Sequence, residues 1–206
     1  MLQTTVDFLR HGEVAGGSYY RGRTDDKLTQ QGWQQMKYAV VEQSWNQIIT
    51  SPLHRCLDFA VYLNKQTNTP FITEVNWQEI NFGDWEGKKA EQINPNDLTL
   101  FYQDPIKNTP KNAESLQIFL SRIETAWGNL INTQTGKHVL VVTHAGVIRC
   151  LFKILLNLPI EKIYNLQVEH ASITRFQCIH DDSGNFIRLV FYNLTHQSLG
   201  TRTDLS

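Results

Sequence analysis

Cysteine is scarce in this 206-residue chain, and the three present, Cys56, Cys150 and Cys178, are odd in number and widely spaced. They fit neither a disulfide framework nor a zinc ribbon and read as reduced, mostly buried thiols, so a cytoplasmic compartment is expected. No apolar run approaches the roughly 20 residues that span a bilayer. The opening residues are not expected to be a secretory leader, because candidate site residues begin at position 10. Without secretion, the Asn193-Leu194-Thr195 triplet carries no glycosylation reading. Charge of one sign is also lacking. Nineteen Lys and Arg against 20 Asp and Glu leave a net charge of −1, which argues against nucleic acid or an anionic membrane as partner. Any bound anion must therefore be met by a local cluster of cations. Repeats and low-complexity segments are absent, so a single domain over residues 1–206 is expected. Core-forming residues are plentiful: ten Phe, seven Tyr and five Trp within a hydrophobic fraction of 41%.

The apolar segments alternate between short runs and helical periodicity. Val6 to Leu9, Ile48-Ile49 and Phe71-Ile72 read as strands, and Val139 to Val142 as a strand buried on both faces. Between them, Thr29 is a candidate N-cap for a helix carrying Trp33, Met36 and Val40. Ser51 and Pro52 suggest the cap and first position of a helix through Leu63. Ala113 to Ile131 and Val147 to Leu156 read as two further helices. Ser172 to Cys178 and Phe186 to Tyr192, around Asp181 to Gly184, suggest a hairpin. Residues 88–112 are polar, helical in short pieces and interrupted by Pro95, Pro105 and Pro110, as in a small helical cap over a site. The fold class expected is α/β: a three-layer α/β/α sandwich with a mostly parallel central sheet.

Two strands end alike. The first runs into Leu9-Arg10-His11-Gly12-Glu13, the buried one into Thr143-His144-Ala145-Gly146. In open α/β sheets ligands bind beyond the carboxyl ends of strands, so both imidazoles are expected at one sheet edge. Arg55, in the first turn of a helix after the second strand, adds a guanidinium where helix N–H groups already favour anions. Arginines 10 and 55 suit a tetrahedral oxyanion, because each offers parallel donors. One histidine can then attack phosphorus while the other donates. Among the acids of the loop Trp77 to Gly87, Glu79 and Glu86 could do proton work, and one such as Glu79 could protonate a leaving alkoxide and then deprotonate water. Tyr20, Arg21 and Arg23, in the loop from Val14 to Leu28, are candidates for the substrate mouth. His170 reads chiefly as a surface residue at a strand end, with a place near the site as the other reading. Cys56, beside Arg55, is expected to pack and not to react. His11, His144, His170 and His180 lack close ligand spacing, so no metal or cofactor is expected.

These motifs, in this order, resemble the histidine phosphatase (phosphoglycerate mutase-like) superfamily. Leu9 to Glu13 is similar to its signature, and Ser51-Pro52-Leu53-His54-Arg55-Cys56 to its second arginine motif. Glu79 to Gly87 is similar to its acid loop, Ala113-Glu114-Ser115 to its Gly-Glu-Ser motif, and Thr143 to Arg149 to its second histidine motif. The resemblance implies His11 as phosphorylated nucleophile, Glu79 as general acid and base, and a phosphate pocket of Arg10, Arg55 and His144. Gly12 and Ala145 lie beside that pocket, Ser115 joins the substrate-binding candidates, and no metal is implied. Val14 and Ala15 to Ser18 depart from the family pattern of Thr and Asn, and Ala113 replaces the usual Gly. Within the family, Tyr20 to Thr29 with Trp33 resembles the alpha-ribazole phosphatase branch of cobalamin assembly. The short chain and Ile80-Asn81-Phe82 favour a phosphatase over a mutase. The expected partner is thus a small phosphomonoester, with a homodimer left open. A mutase, a sugar or nucleotide phosphatase, and a non-catalytic phosphoprotein-binding domain are the alternatives.

Overall fold

The computed structural model describes residues 2–181 and 184–195. In chain order the elements are β1 (Leu2–Arg10), α1 (Gln30–Ala39), β2 (Gln47–Thr50), α2 (His54–Thr67), β3 (Phe71–Thr73), α3 (Pro95–Gln103), α4 (Leu116–Thr133), β4 (His138–Thr143), α5 (Ala145–Leu156), β5 (Ile173–Asp181) and β6 (Gly184–Leu194). They build one six-stranded sheet in the order β3-β2-β4-β1-β5-β6. The β3-β2, β2-β4 and β4-β1 pairs are parallel, and β5 and β6 extend the sheet antiparallel. Helices cover both faces, giving the three-layer, mostly parallel arrangement expected.

β4 shows why. Its four consecutive apolar residues, Val139 to Val142, are wholly buried and feed two cores by alternation. Val139 and Val141 join Phe119 and Ile123 of α4 and Ile148 of α5. Leu140 and Val142 join Met36 of α1 and Phe59 and Leu63 of α2. Besides buried threonines, a carboxylate sits within this sheet. The Asp7 carboxylate accepts hydrogen bonds from Arg175 Nε (2.6 Å) and Nη2 (2.9 Å), from Trp45 Nε1 (2.8 Å) and from His138 Nε2 (2.8 Å). Burial pushes this carboxyl up, but Arg175 and His138 more than offset it, so it stays ionised. The cluster ties β1 to β4 and β5 below the ends that carry the histidines.

Three local expectations are corrected. Pro95 does not interrupt a helix but starts α3, capped by the Asn94 side chain on the Asn96 N–H, because a proline is tolerated where the N–H has no intrahelical partner. Ser51 and Pro52 lie outside α2, whose N-cap is Leu53 with no side-chain bond; the Ser51 hydroxyl faces His144 instead. β1 starts at Leu2, since its polar first residues pair with β5 from Leu2 opposite His180 onward. Asp182 and Ser183 of the hairpin turn, and residues 196–206 of the polar tail, lie outside the described residues. Within 88–112, α3 packs Phe101 against Trp85 and Ile93 in a small apolar cluster of its own. Among the described residues no helix is long and apolar enough to cross a membrane.

Candidate active site

Parallel register does the first part of the assembly. Arg10 stands opposite Thr143, and the His11 N–H donates to the Thr143 carbonyl at 3.0 Å. The next residue of each strand is a histidine, and the His11 and His144 rings lie edge to face with centroids 5.3 Å apart. The chain can turn off β1 only because Gly12 and Gly32 touch. A Cβ on Gly12 would lie 2.2 Å from the Gly32 carbonyl oxygen, and one on Gly32 2.0 Å from that of Glu13.

His11 is buried, and its Nδ1 lies 2.8 Å from the Gly12 carbonyl. A carbonyl accepts only, so Nδ1 carries the proton and Nε2 holds the lone pair. Burial, then the charges of Arg10 and Arg55, hold this imidazole well below its usual value, so it is neutral. Arg10 is held from behind. Its Nη1 donates to the Val168 carbonyl and its Nη2 to His170 Nε2 at 2.9 Å. Its buried Nε has no hydrogen-bond partner among the described residues. Burial and the nearby Arg149 charge push the guanidinium down to about 10, which leaves it cationic. His170 is thus brought to the site, 5.8 Å from the His11 ring centroid, and burial with Arg10 pushes it down to about 4. It reaches there through a tight turn in which Ala171 adopts φ 53° and donates its N–H to the His11 carbonyl.

Arg55 and His144 form the layer beneath, both fully buried. Arg55 donates through Nη2 to the Gly22 carbonyl and through Nη1 to that of Thr24, each at 2.7 Å. Its Nε donates to His144 Nδ1 at 3.2 Å. Three of the five guanidinium N–H groups are therefore engaged with the protein. With Nδ1 accepting, His144 carries its proton on Nε2 and donates it to Ser51 Oγ at 2.8 Å. Both ring nitrogens are thus engaged, one with Arg55 and one with Ser51. Burial, then Arg55 and His11, keep this ring neutral as well. Ser51 was legible only as a candidate cap, because nothing in its sequence neighbourhood points to His144. Cys56 packs against the same ring, and burial pushes its thiol well up, in keeping with packing and not reactivity.

The two glutamates of the Trp77–Gly87 loop have different partners. Glu86 accepts from the backbone N–H groups of Gly22 (3.1 Å), Arg23 (2.9 Å), Thr24 (3.0 Å) and Phe82 (2.9 Å), and from the Thr24 hydroxyl. Burial pushes its carboxyl up, but the Thr24 hydroxyl and these N–H groups more than offset that and hold it ionised. Glu86 is a structural anion that fastens the loop whose carbonyls receive Arg55. Glu79 accepts from the Ile80 N–H and from the Gly146 N–H at the start of α5, both at 3.0 Å. A Cβ on Gly146 would lie 2.2 Å from Glu79 Oε1, so a side chain there would displace this carboxyl.

Above these groups lies a cleft of about 260 Å³. His11, Arg10, Glu79 and Ala145 form its floor with Arg149. Tyr19, Tyr20, Arg21, Phe82, Phe101, Tyr102 and Tyr164 form its walls. The Tyr20 and Tyr102 hydroxyls meet at 2.8 Å, joining the loop after β1 to α3. Arg21 is braced by Asp26 (2.8 Å) and the Ala15 carbonyl (2.7 Å). Among the candidates, Arg55, His144, Gly12 and His170 contact the lining residues or one another without lining the cleft, and Arg23 and Ser115 are engaged elsewhere. Arg23 bonds Gln78 and lies 3.8 Å from Glu114. Ser115 caps α4 by accepting from the Ile118 N–H, as an N-terminal serine does. Val14, the departure from the family pattern, is buried and bridges to Leu28. The Val168 carbonyl and Arg149 complete the surroundings of Arg10. The sequence shows Arg149 on a helix, but only the turn of α5 aims it at this floor. Among the described residues no group of three or more His, Cys, Asp or Glu could hold a metal ion.

The family model described as the histidine phosphatase superfamily (branch 1) matches residues 6–192. A bifunctional protein of Mycobacterium tuberculosis is 28% identical over 196 residues, 91% of this chain, which spans only 53% of that relative's length. The adenosylcobalamin/alpha-ribazole phosphatase of Escherichia coli is 28% identical over 173 residues, covering 79% of this chain and 84% of its own. The solved structure of a mycobacterial glucosyl-3-phosphoglycerate phosphatase superposes with a TM-score of 0.82 at 25% identity, covering 94% of this chain and all of its own.

Proposed function

Because the chain belongs to the histidine phosphatase superfamily, we propose that it hydrolyses phosphomonoesters through a phosphohistidine on His11. The observation that carries this is the state of His11 itself: a neutral ring with its proton fixed on Nδ1 by Gly12, beside the unpartnered Nε of Arg10. The Nε2 lone pair forms a bond to phosphorus as the ester P–O bond breaks. Arg10 and the remaining N–H groups of Arg55 stabilise the charge on the transferring group, which is most of what phosphoryl transfer requires. Glu79, which lines the same cleft, protonates the departing alkoxide. Its carboxylate then takes a proton from the water that attacks phosphorus, and the N–P electrons return to Nε2. Ester and water give alcohol and phosphate, with no metal in the scheme. His144 acts through Arg55, and His170 through Arg10.

The favoured substrate is α-ribazole phosphate. The Tyr20–Thr29 stretch supports it, as do the relative of that name and the aromatic walls, which suit a flat fused-ring base. A second reading, an anionic leaving group as in glucosyl-3-phosphoglycerate, is favoured by Arg21 and Arg149 on the same cleft. The test is phosphate release from α-ribazole phosphate, a phosphoglycerate and an aryl phosphate, with EDTA, by the wild type and His11→Ala. Acid-labile phosphoprotein and turnover that both vanish in the variant are expected. Activity that survives His11→Ala would overturn the assignment, and the substrate ranking separates the two readings.

A further inference from the structure

Glu79 is held at its carboxylate by only two N–H groups, yet the backbone around it is fastened by a device in none of the roles above. Arg122, on α4, uses all five of its N–H groups here, three on the backbone of this segment and two on Glu114. Nε and Nη2 hold the Glu114 carboxylate at 2.7 and 3.0 Å. Nη1 donates to the carbonyls of Asn76 (2.7 Å) and Gln78 (2.8 Å), and Nη2 also to the carbonyl of Glu79 itself (3.1 Å). Glu114 completes the frame from the other side. Its carboxylate accepts from the Asn81 N–H at 3.3 Å, and its own N–H donates to the Asn81 carbonyl at 2.9 Å. The pair is largely buried, with side chains 13% and 10% exposed, and the guanidinium stacks over Phe119 at 4.5 Å. The Thr143 hydroxyl takes the one carbonyl left between, that of Trp77, at 2.8 Å.

Every carbonyl from Asn76 to Glu79 is thus tied to α4 or β4. Since Glu79 bonds its own neighbour's N–H, the direction of its carboxyl follows the peptide plane at 79–80. We propose that Arg122, oriented by Glu114, is the positioning residue of the acid: it fixes the backbone at residue 79 so that the carboxyl meets the leaving oxygen. The inference rests on the reading of Glu79 as proton donor. It makes the Glu114 motif a brace for the acid loop, with Ser115 as the cap that starts the helix bearing Arg122.

A misplaced acid matters only where the leaving group needs its proton. Single-turnover formation of phosphohistidine would be measured with benzyl phosphate, whose alkoxide needs protonation, and with p-nitrophenyl phosphate, whose phenolate departs unaided. The enzymes compared are the wild type, Glu79→Gln, Arg122→Gln, Arg122→Lys and Glu114→Gln. Arg122→Gln is expected to slow the benzyl ester about 100-fold and the nitrophenyl ester less than about threefold, following Glu79→Gln in pattern. Arg122→Lys, which keeps the charge but not the fork, falls between. If Arg122→Gln does not fold, Glu114→Gln carries the same comparison. Equal loss on both esters, or no loss on either, overturns the inference. A Glu79→Gln enzyme without leaving-group dependence overturns the reading of Glu79 instead, and a wild type that forms no phosphohistidine overturns the phosphatase reading.

Discussion

The ends of β1 and β4 are built alike in sequence, a strand running into a histidine and a small residue, yet the two rings have different partners. His11 has one nitrogen fixed by the carbonyl of the next residue and the other without a bond among the described residues. His144 has both nitrogens bound, one by Arg55 and one by Ser51. Each ring is neutral, for the same first cause, burial. What separates a candidate nucleophile from a scaffold is therefore the partner list and not the ionisation state. A neutral imidazole is reactive only if its lone pair is left unused.

The largest expected effect breaks that comparison directly. His11→Ala removes the atom that would be phosphorylated, so turnover should fall by about 10⁴-fold or more, with no trapped phosphoprotein. His144→Ala removes the acceptor that orients Arg55 and the donor to Ser51, but not the atom that would be phosphorylated. Turnover should fall about 100-fold, and a phosphohistidine should still form, slowly. Rapid-quench trapping of the phosphoenzyme distinguishes the two. Equal abolition of trapping in both variants would make His144 a participant in the transfer.

The second comparison is between two carboxylates seven residues apart. Glu79→Gln should lose 10²- to 10⁴-fold in turnover, a rough range for a lost general acid, with its melting temperature little changed. Glu86→Gln should do the reverse. Replacing an anion that gathers four backbone N–H groups destabilises by about 1–3 kcal/mol, and turnover falls by less than about tenfold. Thermal melts beside the turnover assay check both. A large kinetic loss in Glu86→Gln with an unchanged melt would move the proton transfer to Glu86.

How much of this was legible in the sequence follows the kind of interaction. The sheet order around β4 and β1 was expected because Val139 to Val142 have no polar face to offer water, and a parallel pair then sets His11 beside His144. The choice between Glu79 and Glu86 came with the family resemblance, since by residue type the two are the same. Only the long-range N–H groups of residues 22–24 show that Glu86 is taken. Ser51 and His170 were read as a helix cap and chiefly as a surface side chain, because local pattern reports the partner nearest in sequence. Their partners, His144 and Arg10, are 93 and 160 residues away. Arg122 was invisible for the same reason: it acts on backbone carbonyls, which every residue has.

The smallest effect concerns both imidazoles at once. Folded values below the ordinary 6.5 mean that on acidification the unfolded chain binds protons before the folded one does. Stability should therefore be unaffected by these groups above about pH 6.5 and should decline as pH falls through it. At pH 5.5 each fully shielded ring destabilises by about 1.4 kcal/mol. The depressed carboxylates Asp7 and Glu86 act in the same direction, since their contribution is lost as pH falls through their folded values, but that window lies below the ordinary carboxylate range, so the two sets separate on the pH axis. Urea midpoints at pH 7.5 and 5.5 exclude the carboxylates but include His170, which is pushed down to about 4 and acts in the same direction, and His54, which Asp58 raises and which acts in the opposite one, so the imidazole proton shifts recorded alongside assign the change to each ring. A His11 ring that titrates near 6.5 would show that the nucleophile is not held neutral. The contrast with His144 would then rest on ionisation after all.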